Sequence, residues 1–422
     1  MKFNKKILKN GLRIITVPMK DNPTVTVLVM VEAGSKYETK EINGLSHFLE
    51  HMCFKGTEKR PRAIDISREL DSIGAVYNAF TGQEYTGYYA KSDKRHLPII
   101  LDVVSDIYLH PKFDPVEIEK EKGVIIEEIN MYEDIPQRKV DSVFNELVFG
   151  DQPAGWDIGG KKEVIKRMTR ENFVDYREKH YVASATTIII AGNFDEKTIH
   201  QEVEKKFANI SGGKKHGKAK VVENQKKPAI LVSHKKTDQA HLIIGVRAYD
   251  AYHKDQPVLN VIDSILRGGM SSRLFQKMRE ELGICYYVRS SNDALTDHGI
   301  FSVSAGVDVK RIGMAIDAIL EEFRKLAREK VGEEELRKVK DYISGAMFLG
   351  LETSDSLSDF YGFQEILRKP LKKPEEILNE IEKVTADDIL RVSKEIFKNE
   401  SLNMAIVGNF KSKKPFEKSF SI

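Results

Sequence analysis

His47, Glu50 and His51 fall within five residues, HFLEH, inside an apolar stretch running from Leu45 to Phe54. On a helix, side chains three and four apart share a face with their Cβ atoms about 5–6 Å apart, so both imidazoles can reach one ion and Glu50 lies on the same side. Two neutral imidazoles beside a carboxylate suit zinc, whose catalytic sites take three protein ligands and leave a fourth position open. Glu50 need not be one of the three. Next to the metal it can instead take a proton from a water that the ion acidifies to a pKa of about 7, and such a water attacks amides. The order H-x-x-E-H inverts the commoner H-E-x-x-H metalloprotease signature. Five residues alone fit equally a helix with two hydrogen-bonded core histidines and a solvated Glu, so a third ligand decides.

Candidates for it lie about 70 residues on. Asp114-Pro115 opens a helix, PVEIEKEKGVIIEEINMYED, with Pro at an early position where its missing N–H is harmless. Glu121 and Glu128 are seven apart on it, on nearly the same face but about 10.5 Å apart along the axis. One ion cannot easily bind both. One of them would be the third ligand and the other would orient a ligand from behind. Residue type does not say which, nor does it exclude Glu127 or a row of solvated charges beside Lys120 and Lys122.

The elements that must position these groups are legible from pattern. Asn10-Gly11 between two alternating runs signals a hairpin, and Thr24 to Gly34, TVTVLVMVEAG, has the character of a core strand leading into the HFLEH helix. A helix from about Ala63 to Ile73 precedes AVYNAFTGQEYTGYYAKS, two aromatic-rich strands with Gly82 near the bend. Lys94 to Tyr108 repeats apolar residues at helical spacing.

At 422 residues the chain exceeds one ordinary core, and 41% hydrophobic with 31% charged residues can fill two. The net charge of +3 comes from near cancellation of 67 basic and 64 acidic residues, which argues against nucleic acid as a partner. Cys53 and Cys285 offer neither a thiolate metal site nor a disulfide framework, so a reducing compartment fits. The N-terminus shows no signal-peptide pattern and no run approaches about 18 apolar residues, from which we expect a cytoplasmic protein that does not enter the membrane.

Two similar runs close two halves: Thr186 to Phe194, TTIIIAGNF, and Leu402 to Phe410, LNMAIVGNF. Gly192 and Gly408 are 216 apart, and Phe113–Glu117 finds a counterpart 218 residues on in Val331–Glu335. Between the halves, SGGKKHGKAKVVENQKKP reads as a surface linker. This divides the chain into 1–210, a linker at 211–228, and 229–422. In that register Glu128 faces Ala346, and the HFLEH helix corresponds to PVLNVIDSILRGG, where no histidine occurs. The second half therefore cannot bind zinc in this way.

The pattern formed by His47, Glu50, His51, Glu121 and Glu128 resembles the inverted zinc motif and distal Glu pair of the pitrilysin family, which includes insulin-degrading enzyme and mitochondrial processing peptidase. The 77 positions from His51 to Glu128 match that family's spacing and by resemblance assign Glu128 to zinc and Glu121 to the supporting role. Arg279 and Tyr286, seven apart in GGMSSRLFQKMREELGICYYV, are similar to the family's Arg/Tyr pair that holds substrate backbone. Chemically, a cation and a phenol O–H can steady peptide carbonyls or a forming oxyanion; Tyr287 is the rival for the phenol. Asn78, Ala79, Phe80 and Thr81 match the family's edge strand, to which an extended peptide adds by backbone pairing. Glu50 would be the general base.

The resemblance covers almost the whole chain. It implies an α+β fold of two homologous domains, each a mixed β-sheet with helices packed on it, the first catalytic with one Zn2+ per chain and the second supplying the Arg/Tyr pair. It further implies a zinc-dependent endopeptidase acting on short, extended or unfolded peptides inside a closed chamber. Because both motif sets are present, we expect a self-sufficient homodimer in which Arg279 and Tyr286 of one chain serve the zinc of the other. The alternative is a catalytically silent partner or scaffold subunit of a processing complex, although such relatives tend to lose motif residues that are intact here.

Overall fold

Asn10 and Gly11 close the first hairpin. Gly11 takes φ +88°, the Asn10 carboxamide accepts the Leu12 N–H at 3.1 Å, and β1 (Asn4–Ile7) pairs antiparallel with β2 (Arg13–Pro18). The computed structural model describes residues 2–422. With β3 (Thr24–Val31), β4 (Val76–Thr81), β5 (Thr86–Asp93) and β6 (Thr186–Gly192), the hairpin builds a six-stranded sheet in the order β1-β2-β6-β3-β5-β4. Only β2 and β6 run parallel. The central strands β3 and β6 are covered on both faces, which is why they read as nearly unbroken Val and Ile runs.

On one face, Val25, Val27, Val29 and Val31 join a core with Leu45, Phe48, Leu49 and Met52 of the Leu45–Cys53 helix and with the Leu97–Leu109 helix. The opposite face receives a helix from far along the chain, Ser354–Ile366, which packs on β3 and β6. Gly362 permits the close approach: a Cβ there would lie 2.9 Å from Met30 Sδ and 3.2 Å from Leu28 Cδ2. The Ser354 hydroxyl lies 3.0 Å from that of Thr24 and 2.9 Å from that of Thr26. Beneath the helix, buried Arg13 donates to Glu32 at 2.8 Å, and Glu365 of the helix accepts from Lys5 at 2.7 Å. Removing one partner of such a pair would strand a buried charge, so the network fixes where the helix can dock.

A second sheet repeats the plan. Strands β7 (Ala229–His234), β8 (Gln239–Ala248), β9 (Cys285–Ala294), β10 (Gly299–Asp308) and β11 (Leu402–Gly408) take the order β7-β11-β8-β10-β9, again with one parallel pair, β7 and β11. The strand ending in Gly-Asn-Phe lies second in from the parallel edge here, between β7 and β8, as β6 lies between β2 and β3. Helices Gln256–Arg267, Ile312–Arg328 and Ala386–Ile396 fill one side. The other is covered by Pro136–Phe149, whose Val140, Val143 and Phe144 meet Ile243, Ala405 and Val407. Gly245 leaves room for the Phe144 ring, which would approach a Cβ to 2.8 Å.

The chain is therefore α+β, with two compact units, neither of them a continuous stretch. The first takes the chain up to Ile129, Asp157–Ala219 and Phe348–Lys373, and the second takes Asn130–Trp156, Lys220–Met347 and Pro374–Ile422. Residues 211–228 hold no helix or strand. Among the described residues no helix is long and apolar enough to cross a membrane.

The seat of Gly362 gives a direct check on this packing. Gly362→Val should destabilise the protein by about 1–3 kcal/mol, as overpacking does, and Gly362→Ala by less because the helix gains about 1 kcal/mol of propensity. Chemical denaturation midpoints measure both.

Candidate metal centre

The Leu45–Cys53 helix turns Leu45, Phe48, Leu49, Met52 and Cys53 into the core, which leaves His47, Glu50 and His51 on its partly exposed side. Its N-terminus is unusual. The N-cap is Gly44, at φ +99° with no side chain to offer, and a Cβ there would fall 2.7 Å from the Gly159 carbonyl oxygen. Buried Glu38 does the capping from outside the helix: it accepts the Gly44 N–H at 2.7 Å, the Ser46 N–H at 2.6 Å and the Asn43 amide at 3.0 Å. A carboxylate suits the positive end of the helix dipole. Ser46 is held in turn by the Tyr176 hydroxyl at 2.8 Å. The first turn, and with it His47, is thereby fixed in rotation and height.

The second helix, Pro115–Asp134, buries Ile118, Glu121 and Ile125 at three- and four-residue intervals, and Glu128 continues that stripe one turn further. Glu128 Oε2 lies 3.7 Å from His47 Nε2 and 3.6 Å from His51 Nε2, too long for hydrogen bonds. A tetrahedral ion with bonds of about 2.1 Å holds its donors about 3.4 Å apart. The three residues place ligand atoms within 4.8 Å of one another. Two imidazole nitrogens and a carboxylate oxygen at this spacing fit a zinc ion. Burial, and then the neighbouring His51, push His47 down to about 4, so it is the neutral imidazole that a metal requires.

Glu121 stands behind His51. The His51 Nδ1–H donates to Glu121 Oε1 at 2.9 Å, which fixes the tautomer and leaves the Nε2 lone pair for an ion. Lys55 holds the other oxygen of Glu121 at 2.5 Å. Burial pushes the Glu121 carboxyl up, but the hydrogen bonds from His51 and Lys55 outweigh it and hold it below the usual range. Glu127 is exposed and outside the converging group. Glu50 accepts a hydrogen bond from Thr81 Oγ1 at 2.6 Å, and burial raises its carboxyl.

Thr81 ends β4, which pairs only with β5 and so forms the free edge of the first sheet. Asn78, Ala79 and Phe80 precede it on that edge, Asn78 exposed and the others half-buried. The Asn78 side chain accepts the Ala79 N–H at 2.8 Å. Arg279 and Tyr286 belong to the second unit and lie against each other: Arg279 Nη1 donates to the Tyr286 carbonyl at 3.2 Å and its guanidinium sits 5.9 Å from the Tyr286 ring centroid. The wider π-helical turns of Phe275–Glu281 carry Arg279 there. Tyr286 is 78% exposed. Tyr287 points to the other face of β9, where its hydroxyl meets His241 Nδ1 at 3.0 Å.

Sequence reasoning did not find Glu38 or Lys55. Glu38 carries no local signal, since it caps a helix it does not belong to. Lys55 lies four residues after His51, a spacing that could have marked it as facing the same carboxylate.

Known proteins resemble this chain along most of its length. The Insulinase (Peptidase family M16) model matches residues 13–160 and the Peptidase M16 inactive domain model matches residues 167–343. A Bacillus subtilis protein named uncharacterized zinc protease YmxG is 35% identical over 393 residues, 92% of this chain and 94% of its own length. The chain belongs to the M16 peptidase family. A Rickettsia felis member named uncharacterized zinc protease is 33% identical over 409 residues, covering 96% of this chain and 97% of the relative. The fold of a protease from Helicobacter pylori matches with a TM-score of 0.89 at 21% identity, over 96% of this chain and 99% of that one. A peptidase M16 inactive domain from Pseudomonas fluorescens matches with a TM-score of 0.89 at 15% identity, over 98% and 99% of the two chains. The M16 inactive-domain model falls on residues 167–343, within which the Gln256–Arg267 helix holds no histidine.

In this M16 chain the helix that presents His47 hangs on Glu38. Glu38→Ala leaves the Gly44 and Ser46 N–H groups without their acceptor and removes one of the two acceptors of the Asn43 amide, and it should lower stability by about 1–3 kcal/mol. A thermal or denaturant melt of the purified variant reads the loss.

Proposed function

We propose that this M16 chain is a zinc-dependent endopeptidase that hydrolyses peptide bonds in short, extended or unfolded peptides, with one Zn2+ per chain held by His47, His51 and Glu128. The observation that carries the reading is the convergence of two imidazole Nε2 atoms and a Glu128 oxygen at near-tetrahedral spacing, next to a half-buried, anchored Glu50. A zinc ion bound there would supply Lewis acidity to the scissile carbonyl and to water. The remaining work belongs to the chain.

Glu50 accepts the proton of the attacking water on its carboxylate and returns it to the amide nitrogen as the C–N bond breaks. A carboxyl raised by burial suits this, because the base must hold the proton between the two transfers. Glu121 keeps the His51 proton on Nδ1 throughout. The unpaired edge of β4 takes the peptide backbone as an added strand, which discriminates little between side chains. Arg279 and Tyr286 steady the peptide carbonyls and the oxyanion as it forms. In this reading they act from the partner chain of a homodimer that encloses the substrate in a chamber, and the enclosure restricts cutting to chains that can enter unfolded. A catalytically silent scaffold has no use for an anchored base beside three intact metal donors.

Incubation of the purified protein with a panel of short unstructured peptides and one folded protein, with and without a chelator, read by mass spectrometry, tests the reading. The peptides alone should be cut, only without chelator, and Glu50→Gln should retain zinc while cutting at least about 100-fold more slowly. Metal-loaded protein that cuts none of the peptides would overturn it.

The support behind the metal has its own readout. Glu121→Ala should weaken zinc affinity by about 10- to 100-fold in a competition titration against a chromogenic chelator. Lys55→Ala should move it in the same direction by less, since it acts only through Glu121.

A further inference from the structure

Among the described residues, Glu50 has a single hydrogen bond, and it comes from the sheet edge rather than from its own helix: Thr81 Oγ1 donates to Oε2 at 2.6 Å. Engaging one carboxylate oxygen leaves Oε1 as the free one and limits rotation of the group. Thr81 is itself stiff. Its branched Cβ restricts χ1, and it is the last residue of β4, opposite Thr86 of β5.

The turn beyond is pinned at both levels. Gly82 N donates to the Tyr85 carbonyl at 2.8 Å, while the Gly82 and Gln83 carbonyls accept from Ser35 and Lys36 at 3.2 and 2.9 Å. On the preceding residue, the Phe80 ring lies over Gly87, where a Cβ would approach it to 2.3 Å, and packs against Phe363 with centroids 5.7 Å apart. The strand offered to a peptide backbone and the side chain that holds the base are thus consecutive parts of one braced element.

We infer that Thr81 is a positioning residue for Glu50, coupling peptide docking along β4 to the placement of the carboxylate that moves the proton. The inference rests on the peptidase reading above and adds to it a role for the Thr81 hydroxyl, beyond the backbone contact that the edge strand provides. A peptide that pairs along β4 tightens the strand end at Thr81, and the hydroxyl passes that constraint to Glu50. Loss of the hydroxyl leaves the edge able to bind peptide and leaves the metal donors untouched, but frees the base to rotate.

The test compares wild type, Thr81→Val, which keeps the shape and removes the donor, and Thr81→Ser, which keeps the donor. For Thr81→Val we expect kcat to fall by about 10- to 100-fold, the size associated with losing a hydrogen bond to a charged group. KM and the Kd of a non-cleavable peptide analogue should stay within about twofold, zinc content should remain at one per chain, and Thr81→Ser should recover most of kcat. A loss carried by KM, by analogue binding or by zinc content would reduce Thr81 to a packing or docking residue and overturn the inference, as would full activity in Thr81→Val or no recovery in Thr81→Ser. If wild type itself cuts no peptide, the peptidase reading falls and takes the inference with it. If wild type cuts and Thr81→Val cuts equally fast, only the inference falls.

Discussion

Three donor atoms from two helices can meet at one point only if each helix is fixed along its axis as well as across it. A slide of one residue moves a side chain 1.5 Å along the axis and swings it by 100°, enough to take either histidine out of range. Apolar packing alone sets depth and rough angle, and tolerates small slides. The polar contacts supply what it lacks: Glu38 holds the first helix by its N-terminal amides, and the Glu121–His51 bond locks the second helix to the first in height. The Glu128 position follows from that lock, two turns further along the same stripe.

The same economy explains what the second unit shares with the first and what it does not. Apart from β1, which has no counterpart, its sheet order, its one parallel pair and its Gly-ended inner strand repeat those of the first. Its Gln256–Arg267 helix keeps the buried stripe, Val258, Leu259, Val261 and Ile262, because packing requires it. The histidines are absent because nothing in the fold requires them. What appears instead is a π-helical segment leading into an edge strand, which sets an exposed Arg beside an exposed Tyr.

Much of this was readable in the residues. The HFLEH helix, β3 and β6 follow from periodicity, since a strand buried on both faces and a helix with one apolar stripe leave different patterns. Which of Glu121 and Glu128 meets His51 Nδ1 and which faces the two Nε2 atoms did not follow from residue type, because both lie on one face and only the height of the facing helix separates them. Glu38 was invisible for a related reason: a carboxylate that caps a helix several residues downstream makes no periodic mark. The helices covering the outer sheet faces were also illegible. Val140, Val143 and Phe144 announce a stripe that must be buried, but a stripe does not name the sheet it will cover, and Gly245 and Gly362 show their meaning only once a neighbour is seen against them.

Because each unit borrows a helix encoded in the opposite half, synthesis and assembly are out of step. The sheet on which the HFLEH helix packs is complete once β6 has been made, yet the helix that shields its outer face arrives only with residues 354–366. The helix that covers Leu28, Met30 and Ile189 lies more than 160 residues beyond the end of β6 in the chain. Apolar side chains on the outer face of the first sheet are therefore the last to be covered, and the first unit is finished only when most of the polypeptide has been made.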